Sequence, residues 1–239
     1  MEAGVKKAVI LAAGRGTRMR ELTDELPKPM IPVRGRPILE HIVSGLGANG
    51  VEEILIVVGY REDVVRGHFG DGSAFGVGVS YVTQDVQDGT GRVVLLAKDF
   101  AGADPFILSY GDILVPEESY ASLTRLGDAA AILTVKRTDD VSKGGAVFLD
   151  DEFRVTGLIE KPGPDQPQSP WYNTGIYTFT QPIFEYCAAL KKSPRGEYEL
   201  TDAIVAMVED GLILRGDELP GDWADVRDPE VLEELNRDG

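Results

Sequence analysis

A chain of 239 residues with one cysteine, two histidines and a formal charge of −16 at neutral pH excludes several classes of function at once. A lone cysteine rules out an intrachain disulfide and a cysteine-rich zinc site, and no apolar run reaches the roughly 18–20 residues that span a bilayer. So acidic a balance argues against nucleic-acid binding, which needs a basic patch. Hydrophobic and charged shares of 43% and 27% are those of an ordinary globular protein, and this length suits one domain burying roughly 70–75% of its unfolded surface. No basic-then-apolar leader precedes the first strand, so a soluble, cytoplasmic protein with no membrane partner is expected.

Apolar runs alternate with helical patterns, which predicts a three-layer α/β fold with a mainly parallel central sheet. The first run, Ala8–Leu11, enters a glycine-containing loop. A helix is predicted over Pro37–Ala48, then a strand at Ile54–Val58, a short helix over Glu62–His68 and a strand at Val79–Thr83. Further along come a helix over Gly91–Lys98, a buried strand at Pro105–Tyr110, a helix over Glu117–Leu126 and a strand at Ala130–Lys136. Short strands at Ala146–Leu149, Val155–Glu160 and Gly175–Phe179 flank a Pro/Gly-rich loop at Pro162–Pro170, and predict a small antiparallel excursion packed beside the main sheet. Helices over Pro182–Leu190, Leu200–Glu209 and Pro229–Asn236, with a short strand at Leu212–Leu214, complete the pattern.

The most informative segment is Leu11-Ala12-Ala13-Gly14-Arg15-Gly16-Thr17-Arg18-Met19, continuing to Leu26-Pro27-Lys28-Pro29-Met30. Gly14 and Gly16 permit close backbone approach to a ligand, successive N–H groups in such a loop can cradle phosphate oxygens, and Arg15, Arg18 and Lys28 add cationic donors. Two familiar phosphate motifs fail here. Met19 stands where the dinucleotide fingerprint needs its third glycine, which disfavours an NAD-binding protein, and no Gly-Lys-Ser/Thr completes a P-loop.

The whole string closely resembles the sugar-phosphate nucleotidyltransferase family, the NDP-sugar pyrophosphorylases, with its L-A-G/A-G-x-G-T-R-L/M and P-K-P/A-M/L pattern, and the likeness covers essentially the whole chain. It implies a Rossmann-like nucleotidyltransferase fold in which 1–115 bind nucleotide and 116–239 bind sugar phosphate within one domain. It implies nucleotide contacts from Leu11, Ala12, Ala13, Gly14, Gly16 and Thr17, with Arg15 on the β and γ phosphates and Lys28 placing the reacting group. Gln84, in Tyr81-Val82-Thr83-Gln84, is similar to the glutamine that reads the pyrimidine edge, and Asp88-Gly89-Thr90 resembles the next contacting turn, giving Gly89 and Thr90.

Asp112 follows a buried strand, where open α/β sheets assemble ligand sites, and Tyr110-Gly111-Asp112 resembles the family segment whose aspartate binds magnesium. Trp223-Ala224-Asp225 looks like the family's W-x-D, although Val226-Arg227-Asp228 replaces a common I/T-G-T. Two carboxylates about 4 Å apart repel by about 4 kcal/mol at an effective dielectric of about 20. A cation removes that objection, and oxygen ligands beside phosphates favour Mg2+. Glu160-Lys161-Pro162 resembles the E-K-P motif, with Glu160 accepting sugar hydroxyls and Lys161 neutralising the sugar phosphate. Asn173 and Gly145, with Tyr110 and Gly111, complete the implied sugar-phosphate pocket. Glu197-Tyr198-Glu199-Leu200-Thr201-Asp202 is similar to the family's E-Y-x-L/I-T-D and reads as mainly structural, Thr201 or Asp202 capping a helix.

The resemblance implies transfer of a nucleotidyl group from UTP or dTTP to a hexose 1-phosphate of the glucose or N-acetylglucosamine type, by in-line attack on the α-phosphorus with release of pyrophosphate. Ala12-Ala13 favours uridylyl or thymidylyl over guanylyl transfer. A cytidylyltransferase for another phosphorylated small molecule and a non-catalytic regulatory member of the fold are the rivals. His41, His68 and Cys187 read as satisfied or core residues. No hexapeptide repeat follows Asp225, so no fused β-helical acyltransferase is expected, and homo-oligomer formation is compatible with the sequence without being specified by it.

Overall fold

Lys7–Leu11 (β1) alternates its buried side chains between two apolar clusters: Ala8 and Ile10 join one, Val9 the other. Glu53–Val58 (below, β4) does the same with Ile54, Ile56 and Val58 against Leu55 and Val57. This period of two places a core on each face of one sheet, which is why these strands read as continuous apolar runs. The computed structural model describes residues 4–237, the side chains of residues 20 and 21 excepted.

After β1 come two-residue strands Pro32–Val33 (β2) and Arg36–Pro37 (β3), then helix Ile38–Ala48 (α1), β4, helix Glu62–Phe69 (α2) and strand Gly78–Thr83 (β5). α1 buries Ile38, Leu39, Ile42, Val43 and Leu46 along one stripe, each contributing roughly 1.5–3 kcal/mol of transfer free energy. Helical turns Thr90–Val93 (α3) and Lys98–Ala101 (α4), strands Phe106–Tyr110 (β6), Ile113–Leu114 (β7), Ala131–Arg137 (β8), Gly145–Leu149 (β9), Val155–Glu160 (β10) and Trp171–Phe179 (β11) follow. Helices Ile183–Ala189 (α5) and Leu200–Glu209 (α6), strands Leu214–Glu218 (β12) and Ala224–Asp225 (β13) and helix Pro229–Arg237 (α7) end the order.

β10, β9, β11, β6, β1, β4 and β5 lie side by side, with β8 and β12 joined through β11, in a nine-stranded sheet. Pairing directions make β1, β4, β5, β6, β8, β9 and β12 run one way and β10 and β11 the other. The expected α/β architecture with a mainly parallel sheet is therefore present, with one correction. The antiparallel excursion is not beside the sheet but inside it, because β11 runs from Trp171, not Gly175. Its second half pairs with β6 and its first half with β9 along the same edge.

Two predicted helices differ. Residues 90–101 stay helical but in three short pieces, with a 3-10 stretch at Val94–Ala97; β-branched Val93 and Val94 crowd the turn before them. Glu117–Leu126 forms only 3-10 turns at Glu117–Tyr120 and Ser122–Thr124. There Ser122 Oγ donates to Asp217 at 2.5 Å and Thr124 Oγ1 to the Ala121 carbonyl at 2.9 Å, bonds that compete with a regular helix. The strand placed at Leu212–Leu214 runs instead over β12, and Thr201 and Asp202 lie within the first turn of α6, behind Glu199 at the cap. No described helix is long and apolar enough to cross a membrane.

His41 Nε2 meets the Val33 carbonyl at 2.9 Å and His68 Nε2 meets Glu40 at 2.9 Å, so neither ring is free. Cys187 is buried in the α5–α6 core, and burial pushes its thiol up to about 12. It is expected to resist iodoacetamide at neutral pH while the protein is folded and to alkylate once denatured, a contrast that mass spectrometry of the labelled protein checks.

Candidate active site

β6 and β9 meet the same edge of β11 end to end, and the gap between Tyr110 and Gly145 opens above the carboxyl end of β6. Gly145 pairs with Glu160 across the β9–β10 hairpin, while the register of β11 shifts between Asn173 and Tyr177, where Gly175 holds φ 84°. That left-handed bulge suits glycine, and a Cβ there would sit 2.8 Å from the Tyr110 ring. Sheet geometry thus converges Tyr110, Gly145, Glu160, Lys161 and Asn173 on one cavity of about 290 Å3, which Asp112, Asp225 and Thr90 also line.

Burial pushes the Tyr110 hydroxyl up to about 12, and it bonds Thr90 and Tyr177. Asn173 Nδ2 donates to the Tyr177 hydroxyl at 2.8 Å, so the cavity floor is a linked row of neutral polar groups. Lys161 takes a left-handed φ of 48° as its amide donates to the Gly144 carbonyl at 2.7 Å, which turns the side chain onto the cavity wall. Beside it Arg195 bridges Glu199 at 2.8 Å and Glu160 at 3.6 Å. Sequence reading passed over Arg195; a basic residue four before Glu199 in the Arg195-Gly196 turn was the available signal.

Asp112 and Asp225 come together because β13 pairs with β7, matching Asp225 to Ile113, and the Val226 amide donates to the Asp112 carbonyl at 2.9 Å. Lys28, itself buried, forms an ion pair with Asp112. Arg227 holds the other acid, its guanidinium 2.7 Å from Asp225 Oδ2 and 3.2 Å from the Tyr172 hydroxyl. Burial and then the Asp112 charge push the Asp225 carboxyl above its ordinary range. Among the described residues, Asp225 Oδ1 and Thr201 Oγ1 are the buried side-chain polar atoms with no hydrogen-bond partner, and both residues line this cavity. Orphaned buried polar atoms are rare in native proteins, and an unpartnered carboxylate oxygen on a residue that feels a second carboxylate's charge suits a hard cation.

The nucleotide candidates lie on the neighbouring loops. Gly16 holds φ 71°, and a Cβ on it would fall 2.6 Å from Lys28 Cβ, so loop and lysine interlock. A Cβ on Gly14 would meet nothing within 4 Å; packing leaves its face open. Arg15 and Thr17 are exposed, Arg15 stacking on the Tyr60 ring at 5.1 Å. The Ala12 amide is spent on the Val57 carbonyl, and the Ala13 carbonyl accepts from Gln87 at 2.9 Å. Gly111 donates to the Leu11 carbonyl at 2.9 Å, and Gly89 packs on the Tyr198 backbone. Gln84 bonds the Val86 carbonyl at 3.0 Å. Arg15, Lys28, Gln84, Gly89, Gly111 and residues 11–17 stand outside the cavity lining, while Arg18 joins it.

The profile of the nucleotidyl transferase family matches residues 7–238. The chain belongs to that family. It is 34% identical over 238 residues to the low-salt glycan biosynthesis nucleotidyltransferase Agl11 of Haloferax volcanii, covering 97% of this chain and 65% of that one. It is 35% identical over 235 residues to the UTP–glucose-1-phosphate uridylyltransferase AglF of the same organism, covering 97% and 95%. A crystal structure assigned as a glucose-1-phosphate thymidylyltransferase of Bacillus anthracis superposes with a TM-score of 0.86 at 29% identity, over 97% of this chain and 94% of that one. The chain spans about half to two thirds of the length of several curated relatives, from 51% for the GlmU of Methanococcus maripaludis to the 65% of Agl11.

Burial pushes the Glu160 carboxyl above its ordinary range against the pull of Lys161 and Arg195. A folded range above the unfolded one means the ionised group costs stability at neutral pH, a cost that disappears below the unfolded carboxyl's range. Glu160→Gln is therefore expected to raise the thermal midpoint at neutral pH and to lose that advantage at about pH 4. Thermal melts at both pH values check it.

Proposed function

We propose that this protein transfers a nucleotidyl group from UTP or dTTP to a hexose 1-phosphate of the glucose or N-acetylglucosamine type, giving an NDP-sugar and pyrophosphate. The observation that carries the reading is the polarity of one cavity: the cations Lys161 and Arg195 stand on its wall, and Asp112, Asp225 and Thr201, the last two carrying the orphaned polar atoms, also line it. A sugar phosphate offers complementary groups, hydroxyls for Glu160, Asn173 and Thr201 and an anion for Lys161 and Arg195. Full-length similarity to AglF, a UTP–glucose-1-phosphate uridylyltransferase by name, supports the choice of substrates.

In this mechanism the protein supplies no nucleophile, because the sugar phosphate arrives ionised; catalysis is positioning and charge stabilisation. The Gly14–Gly16 turn and Arg15 hold the triphosphate, Gln84 and Gly89 the base, and Lys28 balances the charge developing at the α-phosphoryl oxygens. Lys161 and Arg195 aim the sugar-phosphate oxygen at the phosphorus on the side opposite the departing pyrophosphate. Asp112 and Asp225 would hold Mg2+, which would supply Lewis-acid stabilisation of the phosphate charge when bound.

Pyrophosphate release measured over a panel of nucleoside triphosphates crossed with sugar 1-phosphates tests the reading. Release with UTP or dTTP and a gluco-configured hexose 1-phosphate, abolished by chelation, is expected. A preference for CTP with an alditol phosphate, or no release with any pair, contradicts it.

A further inference from the structure

Tyr60 sits in the turn after β4, outside every motif that marks the phosphate loop, yet it touches that loop at both ends. Its amide donates to the Ala13 carbonyl at 3.3 Å, and its hydroxyl to the Thr23 carbonyl at 3.0 Å, with the Asp24 carbonyl at 3.1 Å sharing the same proton. Between these anchors its ring underlies the Arg15 guanidinium, 5.1 Å from the centroid. Gly59 brings the two loops together, since a Cβ there would lie 2.8 Å from the Ala13 carbonyl oxygen. Arg61, next in the chain, holds a left-handed φ of 52°, which fixes the turn from the other side.

The segment so bracketed has little core of its own. Gly14, Arg15, Thr17, Arg18 and Leu22 are exposed, and Met19 is its one apolar residue wholly buried. An exposed glycine-containing loop samples many shapes unless something outside it selects one, and a loop already shaped for its ligand binds more tightly because less order is lost on binding.

We infer that Tyr60 is a positioning residue for the nucleotide: its hydroxyl pins the far end of the glycine–arginine loop and its ring holds Arg15 where the phosphates arrive. Tyr60 need not touch the nucleotide itself. Its role rests on the assignment of that loop to the triphosphate.

Tyr60→Phe removes the anchor and keeps the ring; Tyr60→Leu removes both. Calorimetric titration with UTP and Mg2+ in the absence of sugar is expected to give about threefold weaker binding for the phenylalanine variant and about tenfold for the leucine variant. KM for the hexose 1-phosphate should stay within about twofold. In an Arg15→Ala background the leucine variant should bind no worse than the phenylalanine one, because the ring then has nothing to hold. The role is overturned if both variants bind UTP like the parent. It is equally overturned if nucleotide and sugar-phosphate constants rise together in step with a falling thermal midpoint, the mark of general loosening. A parent protein that binds no nucleoside triphosphate overturns the function proposed above along with it, whereas a parent that binds UTP while both variants match it overturns only Tyr60.

Discussion

Asp112→Asn is expected to lower kcat for NDP-sugar formation by at least about a thousandfold while leaving the fold intact. The substitution keeps the shape of the side chain and an oxygen able to accept from Lys28, but removes one of the two acidic charges that the β7–β13 pairing brings near each other. In the ligand-free protein that removal relieves repulsion, because the Asp112 charge is one of the causes that push the Asp225 carboxyl up. Thermal melting should therefore show a midpoint close to that of the parent, the relieved repulsion offsetting the weakened pair with buried Lys28. The two readouts move apart only if the acid pair serves chemistry and not packing. Near-normal turnover in this variant would remove Asp112 from the proposed metal site.

Lys28→Met is expected to cost about a hundredfold to a thousandfold in kcat/KM for the nucleotide. Methionine retains the apolar stem that packs on Gly16, so the loop keeps its course, but the ammonium beside Asp112 is gone. Lysine acts here as a compact point charge beside Asp112, so Lys28→Arg is not expected to rescue: a longer stem ending in a planar guanidinium does not put its charge in the same place. Initial rates against each substrate separate the effects. A rise in KM for the sugar phosphate equal to that for the nucleotide would place Lys28 in general folding and not at the triphosphate.

The central strands were legible in the sequence because each is an unbroken apolar run set by burial on both faces, as in Ala8–Leu11 and Ile54–Val58. The loop after β1 was legible for a different reason: Gly14, Arg15, Thr17 and Arg18 are exposed and add nothing to a core, which marks the segment as a candidate ligand loop. Pairing partners were not legible. That β11 begins at Trp171 and carries β6 and β9 on the same edge depends on register, which hydrophobic alternation leaves free when both faces are buried. The 3-10 turns at 117–124 were hidden for a related reason, since Ser122 and Thr124 choose side-chain bonds that only the folded neighbours reveal. Asp112 and Asp225 lie far apart in the chain, and only the family resemblance paired them beforehand. Arg195 and Tyr60 escaped because each acts through contacts with distant segments, Glu160 in one case and Thr23 in the other.

A crystal structure of the protein with UTP and Mg2+ bears most directly on whether one turn and two distant acids serve a single triphosphate. The expected density has the phosphates against Gly14–Arg18 and Lys28, with the metal between those phosphates and the carboxylates of Asp112 and Asp225. Nucleotide bound elsewhere, or a metal that leaves either carboxylate unligated, would contradict the account.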